Sequence, residues 1–230
     1  MFGKPLSEAL PPFGINLIRW VLACMVLVPL MLALEGHLPR PARRLWLSLI
    51  AMAVTGVLLF NALVYLSLEY TTSTNAALIN GTTPILTMIF ATAIGFDRLT
   101  GRRLARAFTS LVGVSWIISR GSLEVLSNFS FNRGDLVMLV AALLWAIYTI
   151  LVNRVMRTLS PLATMTITTV LALPLLGVIG GYELATHPVG PITPVVVVGL
   201  FYVGTVASVA AFISWSIGIG VSARPGARSF

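Results

Sequence analysis

Ala76, Asn80, Thr83 and Thr87 recur at spacings of four, three and four, which places them on one face of a helix. Pro84 sits among them. It has no N–H to donate, so it releases the carbonyl of Asn80, four residues earlier. A released carbonyl beside an amide and two hydroxyls, inside an apolar stretch, can bind a polar solute or a water. The same hydroxyls can instead close the kink and join neighbouring helices, a purely structural use. Leu78, Ile85 and Ile89 fall on the opposite face and suit lipid. Pro84 is the candidate kink or gating point, and Asn80 and Thr83 are candidate substrate contacts.

Further candidates follow the same logic. Asn61 and Tyr65 are four apart, Trp145 and Tyr148 three apart, and Trp215 stands between Ser214 and Ser216. Aromatic rings with an amide make a cavity wall for an uncharged or zwitterionic metabolite, although aromatics also fill bundle cores and interfacial belts. Arg19 is the one arginine clearly within an apolar stretch. At a bilayer centre it would cost about 2.5–3.5 kcal/mol, so its place near the start of its stretch favours snorkelling; turned inward, it would attract a carboxylate. Gly204, Thr205 and Ser208 suit close helix approach, and Gly177 and Gly181 form a GxxxG pair that supports a helix contact or a helix end. Cys24 is alone, and His37 and His187 are far apart in loops, so neither a disulfide nor a metal site is expected. Nothing resembles a phosphate loop or a nucleophile with its base; no cofactor and no enzymatic activity are expected. Asn128-Phe-Ser130 fits a glycosylation acceptor.

The elements that must hold these residues are seven apolar stretches, approximately Gly14–Leu34, Leu45–Leu68, Thr72–Gly95, Leu104–Ser119, Asp135–Asn153, Pro161–Tyr182 and Pro194–Ile219. Roughly 20 helical residues match a hydrocarbon core of ~30 Å. The fourth, with Arg106 near its start, needs a thinner patch or a shielded position. Hydrophobic residues make up 57% of the 230 and charged residues 10%, and the mean hydropathy is +0.96. A soluble domain carries about 25% charged residues, so an all-α polytopic membrane protein is predicted. A net charge of +8 raises nucleic acid as a partner, but no basic run has the aromatic interleaving or motif for it. Met1 to Phe13 lack the basic start, apolar core and cleavage site of a secretory signal.

Arginines choose the orientation. Loops after the first, third and fifth stretches, with the tail, carry eleven: Arg40, Arg43, Arg44, Arg98, Arg102, Arg103, Arg106, Arg154, Arg157, Arg224 and Arg228. The other side has Arg120 and Arg133, beside Glu124 and Asp135. Basic residues stay cytoplasmic, so the N-terminus is expected outside and the C-terminus inside, in a multi-pass protein of the cell (inner) membrane.

Two regions look alike. The first stretch begins at Pro11-Pro12 and passes through Pro29; the sixth begins at Ser160-Pro161 and passes through Pro174. The two cross in opposite senses, which a repeat with an odd number of helices produces. The sixth stretch comes five spans after the first, so the unit is five. The chain therefore reads as seven of ten helices, with residues 1–120 a first repeat lacking its opening helix and residues 134–230 a second lacking its last two. On Ile18-Arg-Trp20, Leu66-Ser-Leu-Glu-Tyr-Thr-Thr-Ser73, Asn75-Ala-Ala-Leu78, Thr83-Pro84, Gly95-Phe-Asp-Arg-Leu-Thr100, Gly134-Asp135 and Leu144-Trp-Ala-Ile-Tyr148, it resembles an EamA-type member of the drug/metabolite transporter superfamily. Phe96-Asp97 departs from the glutamate that the family usually places before the arginine.

The resemblance implies a ten-helix bundle of two inverted five-helix repeats around a central cavity. It also implies a secondary carrier that exports small organic metabolites, such as amino acids or drugs, by alternating access. Two other readings stay open: an inert or regulatory fragment pairing with a full-length carrier, and a seven-helix receptor, which leaves the duplication unexplained. A retinal protein is disfavoured because Lys4 is the sole lysine. Expected partners are a small-molecule substrate and the bilayer, with a homodimer or a related carrier as the protein partner.

Overall fold

Helix starts here are set by side chains that the sequence supplies. Thr72, Thr100, Ser160 and Thr193 each accept a hydrogen bond from the N–H three residues on, and Asn132 and Asp135 form a reciprocal capping box. The computed structural model describes residues 3–36, 40–95, 100–119, 121–122, 131–210 and 214. Among them all regular structure is helical: α1 (Gly3–Ala9), α2 (Pro12–Glu35), α3 (Trp46–Met52), α4 (Phe60–Tyr70), α5 (Ser73–Asn80), α6 (Thr83–Ala93), α7 (Gly101–Ile118), α8 (Arg133–Val155), α9 (Pro161–Thr186) and α10 (Pro194–Phe201). A π-helical segment, Ala53–Leu59, joins α3 to α4, and a second, Tyr202–Ala210, continues α10. Five spans are long and apolar enough to cross a membrane: Pro12–Glu35, Arg43–Tyr70, Ser73–Ala93, Arg133–Val155 and Pro161–Thr186; Pro194–Val209 is shorter. The protein is an all-α polytopic membrane protein. Trp215, the Asn128 acceptor, Asp97 and the basic tail lie outside the described residues.

Three elements differ from the sequence expectation. The N-terminal α1 has no counterpart there; it packs against α4 and α10 and buries Leu6 completely. The third stretch breaks at Gly81-Thr82 rather than bending as one helix. The fourth, α7, contributes no buried residue, so it finds no shielded position among the described residues.

Two antiparallel pairs make the core. In the first, α2 lies along α9. A Cβ on Gly14 would come within 2.7 Å of Leu184, and one on Gly180 within 2.6 Å of the Phe13 carbonyl, so these two glycines allow the close approach. A Cβ on Gly177 or Gly181 would meet nothing within 4 Å among the described residues, so the GxxxG pair lines no close helix approach there; the interface uses Gly180, one residue round the helix. In the second pair, α4 lies along α8, with Gly134 against Ser67 and Thr71 at one end and Gly56 against Tyr148 further along. Gly204 in the α10 extension sits on Leu22 of α2. Glu8, Glu69, Asp135 and Glu183 consequently gather at one end of the bundle, and Arg43, Arg44, Arg154 and Arg157 at the other.

Candidate functional site

Asn16 and Arg19 are three residues apart, hence on one face of α2, and that face is turned into the protein. The Asn16 amide donates to the carbonyls of Val57 and Leu58, at 3.0 and 2.8 Å, both within the first π-helical segment. Arg19 is only 8% exposed. Its Nη1 donates to Asn61 Oδ1 at 2.5 Å and its Nε to Ser208 Oγ at 2.6 Å. The guanidinium carbon lies 5.1 Å from the centre of the Trp20 ring. The snorkelling expected of Arg19 is thus overturned. Two neutral acceptors from neighbouring helices and an aromatic face replace the water it would otherwise seek.

Both acceptors are aimed by their own helices. Asn61 donates to the Gly56 carbonyl at 2.8 Å and Ser208 to the Val203 carbonyl at 2.7 Å, in each case five residues back. That reach matches the wide turn of a π-helix, and π-helical turns inside α-helices frequently mark functional sites. Asn61 follows the first such segment and Ser208 lies within the second. Arg19 therefore joins three spans at once.

The other sequence-derived candidates fall into separate groups. Trp145 and Tyr148 converge on the same stretch as Asn61: the Trp145 ring is 4.5 Å from Phe60 and 5.0 Å from Tyr148. Tyr148 is fully buried against Gly56. Tyr65, one turn beyond Asn61, packs instead in an apolar cluster with Leu6, Ala9, Leu10, Ile15 and Val196. Asn80, Thr83 and Pro84 stand apart on α5 and α6. The break at Gly81-Thr82 leaves Asn80 and Pro84 exposed while Ala76 and Thr83 are buried. Thr83 donates its hydroxyl to the Asn80 carbonyl at 2.6 Å, so the acceptor freed by Pro84 is taken by its neighbour.

Sequence reasoning missed Asn16 and gave Ser208 only a packing role. The available signal was two polar side chains three apart in an otherwise apolar run. A different cavity, of about 440 Å³, opens at the acidic end beside Ser7, Glu8, Glu69, Tyr70, Thr72 and Asn132. No group of three His, Cys, Asp or Glu is placed to hold a metal among the described residues.

Known proteins resemble this one over most of its length. An uncharacterized transporter of Bacillus subtilis, YyaM, is 31% identical over 206 residues, 87% of this chain and 66% of that protein. An uncharacterized transporter of Archaeoglobus fulgidus is 32% identical over 222 residues, 94% of this chain and 73% of that one. The chain thus spans 66% and 73% of the length of these two relatives, in the first case just under two thirds. A crystal structure of a further protein, 20% identical, shares the fold with a TM-score of 0.69 over 93% of this chain and 72% of its own. The EamA-like transporter family matches residues 1–119 and 132–222. With that match covering most of its residues, this chain is a multi-pass membrane protein and belongs to the EamA-like transporter family of the drug/metabolite type.

Proposed function

We propose that the chain is a secondary carrier for small organic metabolites, working outward across the cell membrane by alternating access between two inverted repeats, residues 1–120 and 134–230. One observation carries this reading. The α2–α9 pair is antiparallel and bonded alike at both ends: Glu183 near the end of α9 accepts from the Gly14 N–H at 2.9 Å, and Glu35 at the end of α2 accepts from the Ser160 hydroxyl. Two equivalent helices, each offering a terminal glutamate to the start of the other, suit a unit repeated in the opposite sense. Arg19, Asn61 and Ser208 then meet where the repeats join, which is where such carriers place their substrate. The arginine-rich end is the cytoplasmic one in this reading, with the N-terminus outside.

The test is flux. Full-length protein reconstituted into liposomes should give saturable exchange of at least one labelled amino acid or small organic acid above protein-free vesicles. Absence of flux for every solute, with the protein folded and inserted, overturns the carrier reading. Restoration of flux by adding a related full-length carrier would favour the pairing alternative instead.

A further inference from the structure

We propose that Arg19 is the anchor for a carboxylate, so that the solute handled at the Arg19–Asn61–Ser208 junction is a small organic anion or zwitterion. The inference rests on the carrier reading for its biological use, but the binding site itself does not require transport.

Arg19 is a permanent cation with 8% of its surface remaining, and among the described residues its polar partners are Asn61, Ser208 and the Trp20 ring, all neutral. The described acids are engaged elsewhere or distant. Glu35 accepts from Ser160, Asp135 from Thr71 and Asn132, and Glu183 from Gly14; Glu8 and Glu69 line the cavity at the acidic end. A buried ion without a counter-charge is a costly arrangement, kept where a counter-charge arrives from outside.

The geometry of the guanidinium agrees with its charge. A guanidinium offers five N–H donors in a planar fork, and two of its three nitrogens are bound to Asn61 and Ser208. Its second Nη has no partner among the described residues. The two bonds fix the plane of the fork, so the remaining donors are presented in one orientation. A fixed, partly free guanidinium with neutral neighbours matches a carboxylate, which accepts two parallel N–H bonds. The two acceptors hold the arginine without neutralising it. Asn61 also cannot swing away, because its own amide nitrogen is tied to the Gly56 carbonyl at 2.8 Å. Arg19, Asn61 and Ser208 come from three spans, and the partners of Arg19 sit at or beside the two π-helical turns. A purely structural staple would need neither the charge nor the free donors.

The experiment uses full-length protein in lipid nanodiscs and three matched probe pairs: benzoate and benzamide, lactate and lactamide, N-acetyl-leucine and N-acetyl-leucinamide. Each pair differs only in the carboxylate. At least one acid should bind, with its amide weaker by ~10- to 100-fold, the loss expected when a charge-assisted bond is removed. Arg19→Gln should erase the preference and Arg19→Lys restore part of it. Asn61→Asp supplies an internal carboxylate to Nη1. It should leave thermal stability at or above the parent while abolishing acid binding, which keeps the test open if Arg19→Gln does not fold. Equal binding of acid and amide, no acid binding at all, or acid binding unchanged in Asn61→Asp each overturns the proposal. Acid binding without flux in liposomes overturns the carrier reading alone; flux of the amides at the rate of the acids overturns the anchor alone.

Discussion

Glu183 reaches from near the end of α9 to the first turn of α2, where its Oε2 accepts from the Gly14 N–H at 2.9 Å. The first N–H groups of a helix have no partner within it, and Pro11 at the cap position of α2 supplies no side chain to accept them. The carboxylate of a different helix therefore does the capping, and it adds a negative charge at the positive end of the helix dipole. Glu183→Ala should lower stability by about 1 kcal/mol, as for the loss of a cap. Thermal unfolding in detergent is the measurement, and Glu183→Gln should recover part of the loss because an amide oxygen still accepts. An unchanged midpoint for Glu183→Ala would mean that the bond contributes nothing.

A tighter contact lies at the centre. A Cβ built on Gly56 would fall 2.3 Å from Cδ2 of Tyr148, whose ring is buried with 1% of its surface exposed. Gly56→Ala should therefore cost ~1–3 kcal/mol through overpacking. Adding Tyr148→Ala should remove most of that penalty, because the three atoms nearest the added Cβ all belong to the Tyr148 ring, and a double-mutant cycle reads the coupling. Additive costs in the double variant would contradict the contact.

The all-α polytopic architecture was legible in the chain because apolar length acts on whole spans. The same signal failed at single turns. A π-helical turn at Ala53–Leu59 leaves no mark in hydrophobic periodicity, since it shifts the register by one residue and then returns to an α-helix. The spacing of Ala76, Asn80, Thr83 and Thr87 assumes an unbroken helix, and the interruption at Gly81-Thr82 turns Asn80 outward. The depth of Arg19 in its span sets the cost of burying it. What decides its direction is the presence of Asn61 and Ser208 on other spans, and pairings between spans are invisible to a local reading.

Asn16 tests the same π-helical turn from the other side. Its amide nitrogen serves two carbonyls, those of Val57 and Leu58, with the side chain wholly buried. Asn16→Leu keeps the volume and removes both bonds. Each of these buried hydrogen bonds contributes about 0.5–1.5 kcal/mol, so this variant should unfold at lower temperature. Because the segment positions Asn61, Asn16→Leu should also weaken acid binding in the nanodisc assay while Arg19 is intact. A destabilised variant with undiminished acid binding would show that the turn does not position the site.

The direction of α2 against α9 underlies the reading of two inverted repeats, and thiol crosslinking examines it without reference to activity. Glu35 and Ser160 are bonded to each other, while Glu35 and Glu183 lie at opposite ends of the pair. The α2 helix has 24 residues, so at 1.5 Å per residue its ends are ~36 Å apart, far beyond the ~7 Å that two cysteine Cα atoms can bridge. Cys24→Ser removes the native thiol first. In that background Glu35→Cys with Ser160→Cys should crosslink with a short bifunctional reagent, and Glu35→Cys with Glu183→Cys should not. The reverse pattern would make the two helices parallel. Both would then cross the membrane in the same sense, the equivalence of their terminal glutamates would be accidental, and an alternating-access mechanism built on inverted repeats would lose its structural basis.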